Sequence, residues 1–184
     1  MDETTRDPIE ELLVEHGLHR RTLVVLERIA QAVERGGTFP RADIAKVLGY
    51  LQEFIEEVHH CKEDKVVYPL VLELADEDVA EEVGRLLADH EATRDLLASL
   101  TMFAESSDPQ EQERDGFCQM VRAYVLRMKR HMNLEERHLF PAVRTLDAEQ
   151  LAEIARGCAE ASRGQRDASQ WAGDIAELEE HWTG

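Results

Sequence analysis

Apolar residues recur along most of this chain at helical spacing. Asp7-Pro8 reads as a helix start, with a capping residue before a proline suited to the first turn. Ile9, Leu12, Leu13, His16, Leu23, Leu26, Ile29, Ala30 and Val33 then form one stripe, which Gly36-Gly37 ends. A second helix is predicted from around Thr38–Pro40 to about Ala75. Ile44, Val47, Leu48, Leu51, Phe54, Ile55, Val58 and His59 lie on its inner side. Asp76–Asp78 turns the chain into a third helix, roughly 78–105, with Val79, Val83, Leu86, Leu87, His90, Leu97 and Leu100. Ser107-Asp108-Pro109 caps a fourth. It carries Phe117, Met120, Val121, Tyr124, Leu126, Met128, His131, Leu134 and Leu139.

Asp147 caps a fifth segment, which Gly157, Gly164 and Gly173 are expected to interrupt. Its Trp171, Ile175, Leu178 and Trp182 suggest packing along the other helices, ahead of a dimer contact. No period-two alternation between hairpin turns predicts a strand. The fold class is therefore all-α: an antiparallel up-down-up-down four-helix bundle with an additional C-terminal helical segment. Residues 1–7 read as a tail, 8–145 as the bundle and 147–181 as the segment that packs on it. Pro69 and Pro141 sit late in the second and fourth helices. Each removes a backbone donor and crowds the carbonyl four residues back, so a kink or loosening is expected there.

Composition agrees with a globular helical protein: of 184 residues, 43% are apolar, 33% charged and only 5% aromatic. The net charge is −18, from 39 acidic and 21 basic residues. A field of that sign repels phosphate backbones and anionic lipid, so neither nucleic acid nor membrane is an expected partner. Cys61, Cys118 and Cys158 are odd in number and far apart, with no CxxC. No disulfide framework is implied, and a reducing cytoplasm is the expected location. The acidic start MDETTRDPIEE has no apolar signal region. The sequence leaves both a monomer and a homodimer open.

Packing does not explain an internal echo. HHCKEDKVVYP at 59–69 is matched by HMNLEERHLFP at 131–141, an offset of 72 residues. LLVEHGLHRRTL at 12–23 likewise matches LLADHEATRDLL at 86–97, an offset of 74. His16 falls on His90, Glu15 on Asp89 and Arg20 on Arg94. Residues 8–75 and 78–145 thus read as two copies of one helix–turn–helix unit. Each supplies a lone His from its first helix and a HxxxE from its second.

A lone buried His or a single HxxxE is ordinary, but two matched sets are not. An i,i+4 spacing turns about 40° and rises about 6 Å, so His and Glu share a helix face. Four inward-facing helices would bring together His16, His59, Glu63, His90, His131 and Glu135. Two buried carboxylates without cations are costly. Two divalent ions remove that problem, each taking two His and sharing both Glu. Imidazole and carboxylate suit iron, manganese or zinc. Two ferrous ions with two Glu leave about two positive charges, and two ferric ions with an oxo bridge leave the same.

These residues resemble the hemerythrin-like family, also called the HHE cation-binding domain, over roughly residues 8–145. The resemblance implies a four-helix bundle with a non-haem di-iron centre, oxo- or hydroxo-bridged, held by His16, His59, Glu63, His90, His131 and Glu135. It ranks iron ahead of manganese and zinc, and it implies a dioxygen, peroxide or nitric oxide ligand. Oxygen-carrying members have HxxxH on the third helix, where this chain has Arg94. Their last motif is HxxxxD, whereas Glu135 comes one residue earlier. A fifth imidazole is thus unaccounted for: either one iron carries water or another ligand, or a nearby side chain replaces it. His19, His60 and Tyr124 lie near enough along their helices, though each is expected behind the ligands or at the surface.

His138 and His181 are expected to face solvent or to lie outside the ligands. HEATR at 90–94 lacks the second His of a zinc protease motif, and ferritin-like bundles use ExxH instead. The expected function is reaction with dioxygen, peroxide or nitric oxide. Catalase-like peroxide disproportionation in oxidative stress is its most concrete form. The alternative is an iron or oxygen sensor without turnover. A third reading is a structural bundle that binds zinc adventitiously.

Overall fold

The computed structural model describes residues 7–74, 77–105 and 110–183. The tail 1–6, the turn at Asp76 and the cap at Ser107-Asp108-Pro109 lie outside the described residues. Helix α1 spans Pro8–Glu34, and the Ile9 N–H donates to Asp7 Oδ1 at 2.9 Å. It ends before Gly36, whose φ of 80° falls in the left-handed region that glycine adopts without a steric penalty. α2 covers residues 41–74, α3 Glu77–Glu105 and α4 residues 111–143. The Gln110 N–H at the start of α4 donates to Glu113 Oε2 at 2.6 Å. Two shorter helices come after them, α5 (Ala148–Ala161) and α6 (Ala168–Thr183). No strand occurs among the described residues.

Each of α1–α4 packs on the next, and α4 returns to α1, so the four helices enclose one interior. The fifth segment is interrupted as its glycines suggest, but only once. The break holds Gly164 at φ 77°, while Gly157 and Gly173 are helical. Gly157 has a packing role instead: a Cβ there would lie 2.6 Å from Val66 Cγ1, so α5 approaches α2 closely. α6 lies along α1 and buries Trp171, Ile175 and Leu178. Its far end is tied by Trp182 Nε1 donating to Asp43 Oδ2 at 2.9 Å. Two residues of the predicted stripes face outward: Leu126 is 64% exposed and Leu87 39%. Both sit on the flanks of their stripes, where periodicity alone defines the buried face poorly.

Two apolar clusters fill the interior. One runs from Leu18 through Phe54, Val121 and Met128 to Trp171, and the other from Ile9 and Leu12 through Tyr68 and Leu86 to Phe140 and Ile154. Between them lie fully buried His16, His59, His60, Glu63, His90, His131 and Glu135. The backbone changes at this level too. Helices α2 and α4 widen into π segments at Glu63–Val67 and Glu135–Leu139, each ending two residues before its proline. The missing proline N–H and the crowded carbonyl behind it favour such a widened turn. A further π segment, Leu51–His59, precedes the first of these.

Candidate metal centre

All six residues singled out from the repeat converge in this layer. His59 Nε2 is 3.3 Å from Glu63 Oε1, and His16 Nε2 is 4.0 Å from the same oxygen. His90 Nε2 is 3.4 Å from the other oxygen, Glu63 Oε2. Glu63 therefore spans the two histidine pairs with its two oxygens. Glu135 does so differently. Its Oε2 lies 3.2 Å from His16 Nε2 and 3.3 Å from His131 Nε2. Its Oε1 is taken by the Tyr68 hydroxyl, which donates at 2.6 Å. Only one oxygen of Glu135 is thus free to face both pairs.

Carboxylates behind the rings decide which nitrogen faces inward. The Nδ1–H of His16 donates to Glu136 at 2.8 Å, that of His59 to Glu15 at 2.8 Å and that of His90 to Asp64 at 2.7 Å. Asp89 stands behind His131 at a looser 4.0 Å. Each carboxylate is itself held by a cation. Arg20 binds Glu136, Lys62 binds Glu15, Arg94 binds Asp64 and Arg127 binds Asp89. A carboxylate on Nδ1 holds a proton there and aims Nε2 inward, so that Nε2 is the nitrogen left for a metal.

The inward atoms are short of partners. His16 Nε2, His59 Nε2, both Glu63 oxygens and Glu135 Oε2 are buried with no hydrogen bond. Leaving such atoms unmatched costs about 1–3 kcal/mol each. His90 Nε2 and His131 Nε2 stand 3.0 Å apart. Two nitrogens about 2.1 Å from one ion, at right angles, would be about 3.0 Å apart. One candidate set of ligand atoms comes from His16, His59 and Glu63, another from His60, Glu63, His90 and His131, each within 4.8 Å of one another. The donor set is imidazole and carboxylate, with no thiolate. These residues fit a pair of cations.

The titration behaviour fits the same reading. Burial pushes the Glu63 carboxyl up, and the charge of Glu135 adds to the push. Burial also opposes the charge on Glu135, but His131 and His16 beside it hold its carboxyl well below the ordinary range. For His16, burial opposes protonation, yet Glu135 and Glu136 raise it to about 9. His90, also opposed by burial, is raised by Asp64 and Glu63 to about 10. Burial brings His131 down to about 4 despite Glu135, with His90 and His16 contributing. Protons on His16 and His90 thus supply the positive charge where ions would otherwise sit. Ion binding must expel both.

Residues 7–143 match the family described as Hemerythrin HHE cation binding domain. The chain belongs to this hemerythrin family. Its members bind metal ions, usually iron, and the buried His/Glu clusters here have the composition for it. No curated protein and no solved structure gave a significant match. The HxxxE spacing is compatible with the family, and no helix among the described residues is long and apolar enough to cross a membrane.

Three residues near the gap in the hemerythrin pattern are not at the surface: His19, His60 and Tyr124 are all fully buried. His19 lies beside Tyr50 and Tyr124, with ring centroids 6.3 and 6.5 Å away. Both His19 nitrogens and both tyrosine hydroxyls lack hydrogen bonds. His138 and His181 are mostly exposed, with side chains at 55% and 67%. Sequence reasoning does not reach Tyr68 as a site residue. The aromatic-Pro pair common to both repeats is its only trace in the sequence. It also misses the supporting carboxylates Asp64 and Glu136. Each comes directly after its motif Glu, and that is the available signal.

Proposed function

We propose that this protein is a non-haem di-iron protein that reacts with or senses dioxygen, hydrogen peroxide or nitric oxide. Its most concrete activity is catalase-like disproportionation of peroxide in oxidative or nitrosative stress. One observation carries the reading. Four histidines from four helices turn Nε2 toward the free oxygens of two buried glutamates; His90 Nε2 and His131 Nε2 also meet each other at 3.0 Å, and the remaining inward atoms have no hydrogen bond.

In this reading His16, His59 and Glu63 would hold one ion and Glu63, His90 and His131 the other, with Glu135 available to both. Bound iron supplies Lewis acidity and a reversible one-electron change at each ion. Manganese and zinc suit the same donors but rank behind iron. The protein's own residues do the rest. Glu136, Glu15 and Asp64 keep the rings oriented, and Tyr68 keeps Glu135 from turning its second oxygen inward. The apolar clusters above and below exclude bulk water, so charge changes at the site act in a low dielectric. An interior of this kind suits a diatomic or peroxide ligand. The chain's −18 charge argues against nucleic acid and anionic membrane as partners, and its three free cysteines suit the cytoplasm.

The test is anaerobic loading with ferrous iron, then addition of peroxide. A new near-ultraviolet absorption and evolved oxygen are expected. If iron-loaded protein shows neither, the proposal fails. Sensing without turnover has its own support in the close seat of α5 on the π segment at Val66. It predicts the spectral change without oxygen evolution, together with ligand-dependent proteolysis near Gly164.

A further inference from the structure

We infer that His60 is a fifth imidazole of the metal centre, ligating the same ion as His90 and His131 and taking the place that Arg94 leaves empty. The inference rests on the proposed function, since it assigns a residue to that site. His60 is fully buried, and neither ring nitrogen has a hydrogen bond. One of its ring nitrogens lies within 4.8 Å of the ligand atoms of Glu63, His90 and His131. Its ring stacks on that of His90, with centroids 3.8 Å apart and planes 20° from parallel, which places it beside the ligand rings.

The surroundings of His60 repeat the signature of the other ligands. Its Nδ1 is 3.1 Å from Glu56 Oε2, within ion-pair distance, as a carboxylate stands behind each of the other four rings. With Nδ1 turned to Glu56, Nε2 is the nitrogen left for the centre. Glu56 is in turn contacted by Arg94 Nε at 3.2 Å, and Arg94 Nη2 donates to Asp64 Oδ2 at 2.6 Å. Arg94 therefore anchors the carboxylates behind both His60 and His90. The position where some relatives place a histidine has become the support for a histidine from another helix. His19 serves as the contrast. It is equally buried and equally unpartnered, but among the described residues no carboxylate lies within ion-pair distance of it. It lacks the support that would aim one nitrogen at an ion.

The consequence is an unequal pair. One ion takes His60, His90 and His131, while the other takes only His16 and His59. An exchangeable position then falls on the His16/His59 ion.

The test loads the protein with cobalt(II) and counts the exchangeable imidazole N–H proton resonances shifted by the paramagnetic ions. Each ring bound through Nε2 contributes one, from its Nδ1–H. Unaltered protein is expected to show five such signals, and H60Q four. H60Q should also hold its second ion at least about 10-fold more weakly, and E56Q should weaken it by about 10- to 100-fold. Four signals in the unaltered protein, or five retained in H60Q, would overturn the assignment. The first count needs no variant, so a misfolded H60Q does not remove the test. Protein that retains no cobalt or iron at all would instead sink the metal centre itself.

Discussion

His16, His59 and Glu63 in the first half of the bundle correspond to His90, His131 and Glu135 in the second, and the correspondence extends behind the ligands. Glu136 behind His16 matches Asp64 behind His90, and Glu15 behind His59 matches Asp89 behind His131. Phe140 stacks on His16 at 5.4 Å as Tyr68 stacks on His90 at 5.6 Å. The halves part where chemistry can differ without disturbing the scaffold. Tyr68 carries a hydroxyl that ties one oxygen of Glu135, and Phe140 has none to tie Glu63. His60 and Glu56 stand where the second half has Met132 and Met128, and His19 stands where it has Thr93. Thioether is a soft donor poorly matched to iron among imidazole and carboxylate. In the proposed di-iron reading the duplicated frame would hold two ions in unlike surroundings, one able to stay saturated while the other exchanges a ligand.

The sharpest way to break this comparison is at Glu63, whose two oxygens face both pairs. Glu63→Gln keeps the shape and removes the charge. Bound iron per chain, measured after desalting, should fall at least about 10-fold. Retention at the unaltered level would show that Glu63 is not the shared ligand.

Metal-free protein should reveal the histidine protons directly. A group whose pKa is raised by folding contributes stability that is fully present below its unfolded value and lost as pH rises through the folded one. For His16 and His90 that window opens near 6.5 and closes near 9 and 10. Chelator-treated protein should therefore lose on the order of a few kcal/mol between pH 6.5 and 10. Metal-loaded protein should lose much less, since its rings carry no displaceable proton. Paired thermal melts check this, and parallel curves for the two forms would contradict it.

Tyr68→Phe makes the halves more alike and should have the smallest effect. Losing a hydrogen bond to a buried carboxylate costs about 1.5–3 kcal/mol. Urea denaturation of the metal-free form should show a loss in that range, with two ions still bound after loading. An unchanged midpoint would mean that Tyr68 does not restrain Glu135.

Much of the fold is legible in the sequence. Long 3.6-residue stripes broken by Gly36-Gly37 and by Asp147 require helices, because no other backbone form buries such a pattern. The two offset echoes reveal the repeat and the six inward residues. Periodicity fails where the helix departs from regular geometry. A strict helical count puts His60 about 100° from His59 and thus off the ligand face. In the structure π segments lie on either side of this point, at Leu51–His59 and Glu63–Val67, and a widened turn shifts the register of the residues beyond it. Outer partners such as Glu136 for His16 are 120 residues apart, so no local pattern could pair them.

By itself the sequence determined the helices, the internal duplication and a buried set of imidazoles and carboxylates, because periodicity and residue chemistry are local properties. Only the tertiary structure decided which nitrogens point inward, that Glu135 offers one oxygen and Glu63 two, and that the two halves are unequal. Those depend on which side chains from separate helices meet, and on a backbone that widens where proline removes a donor.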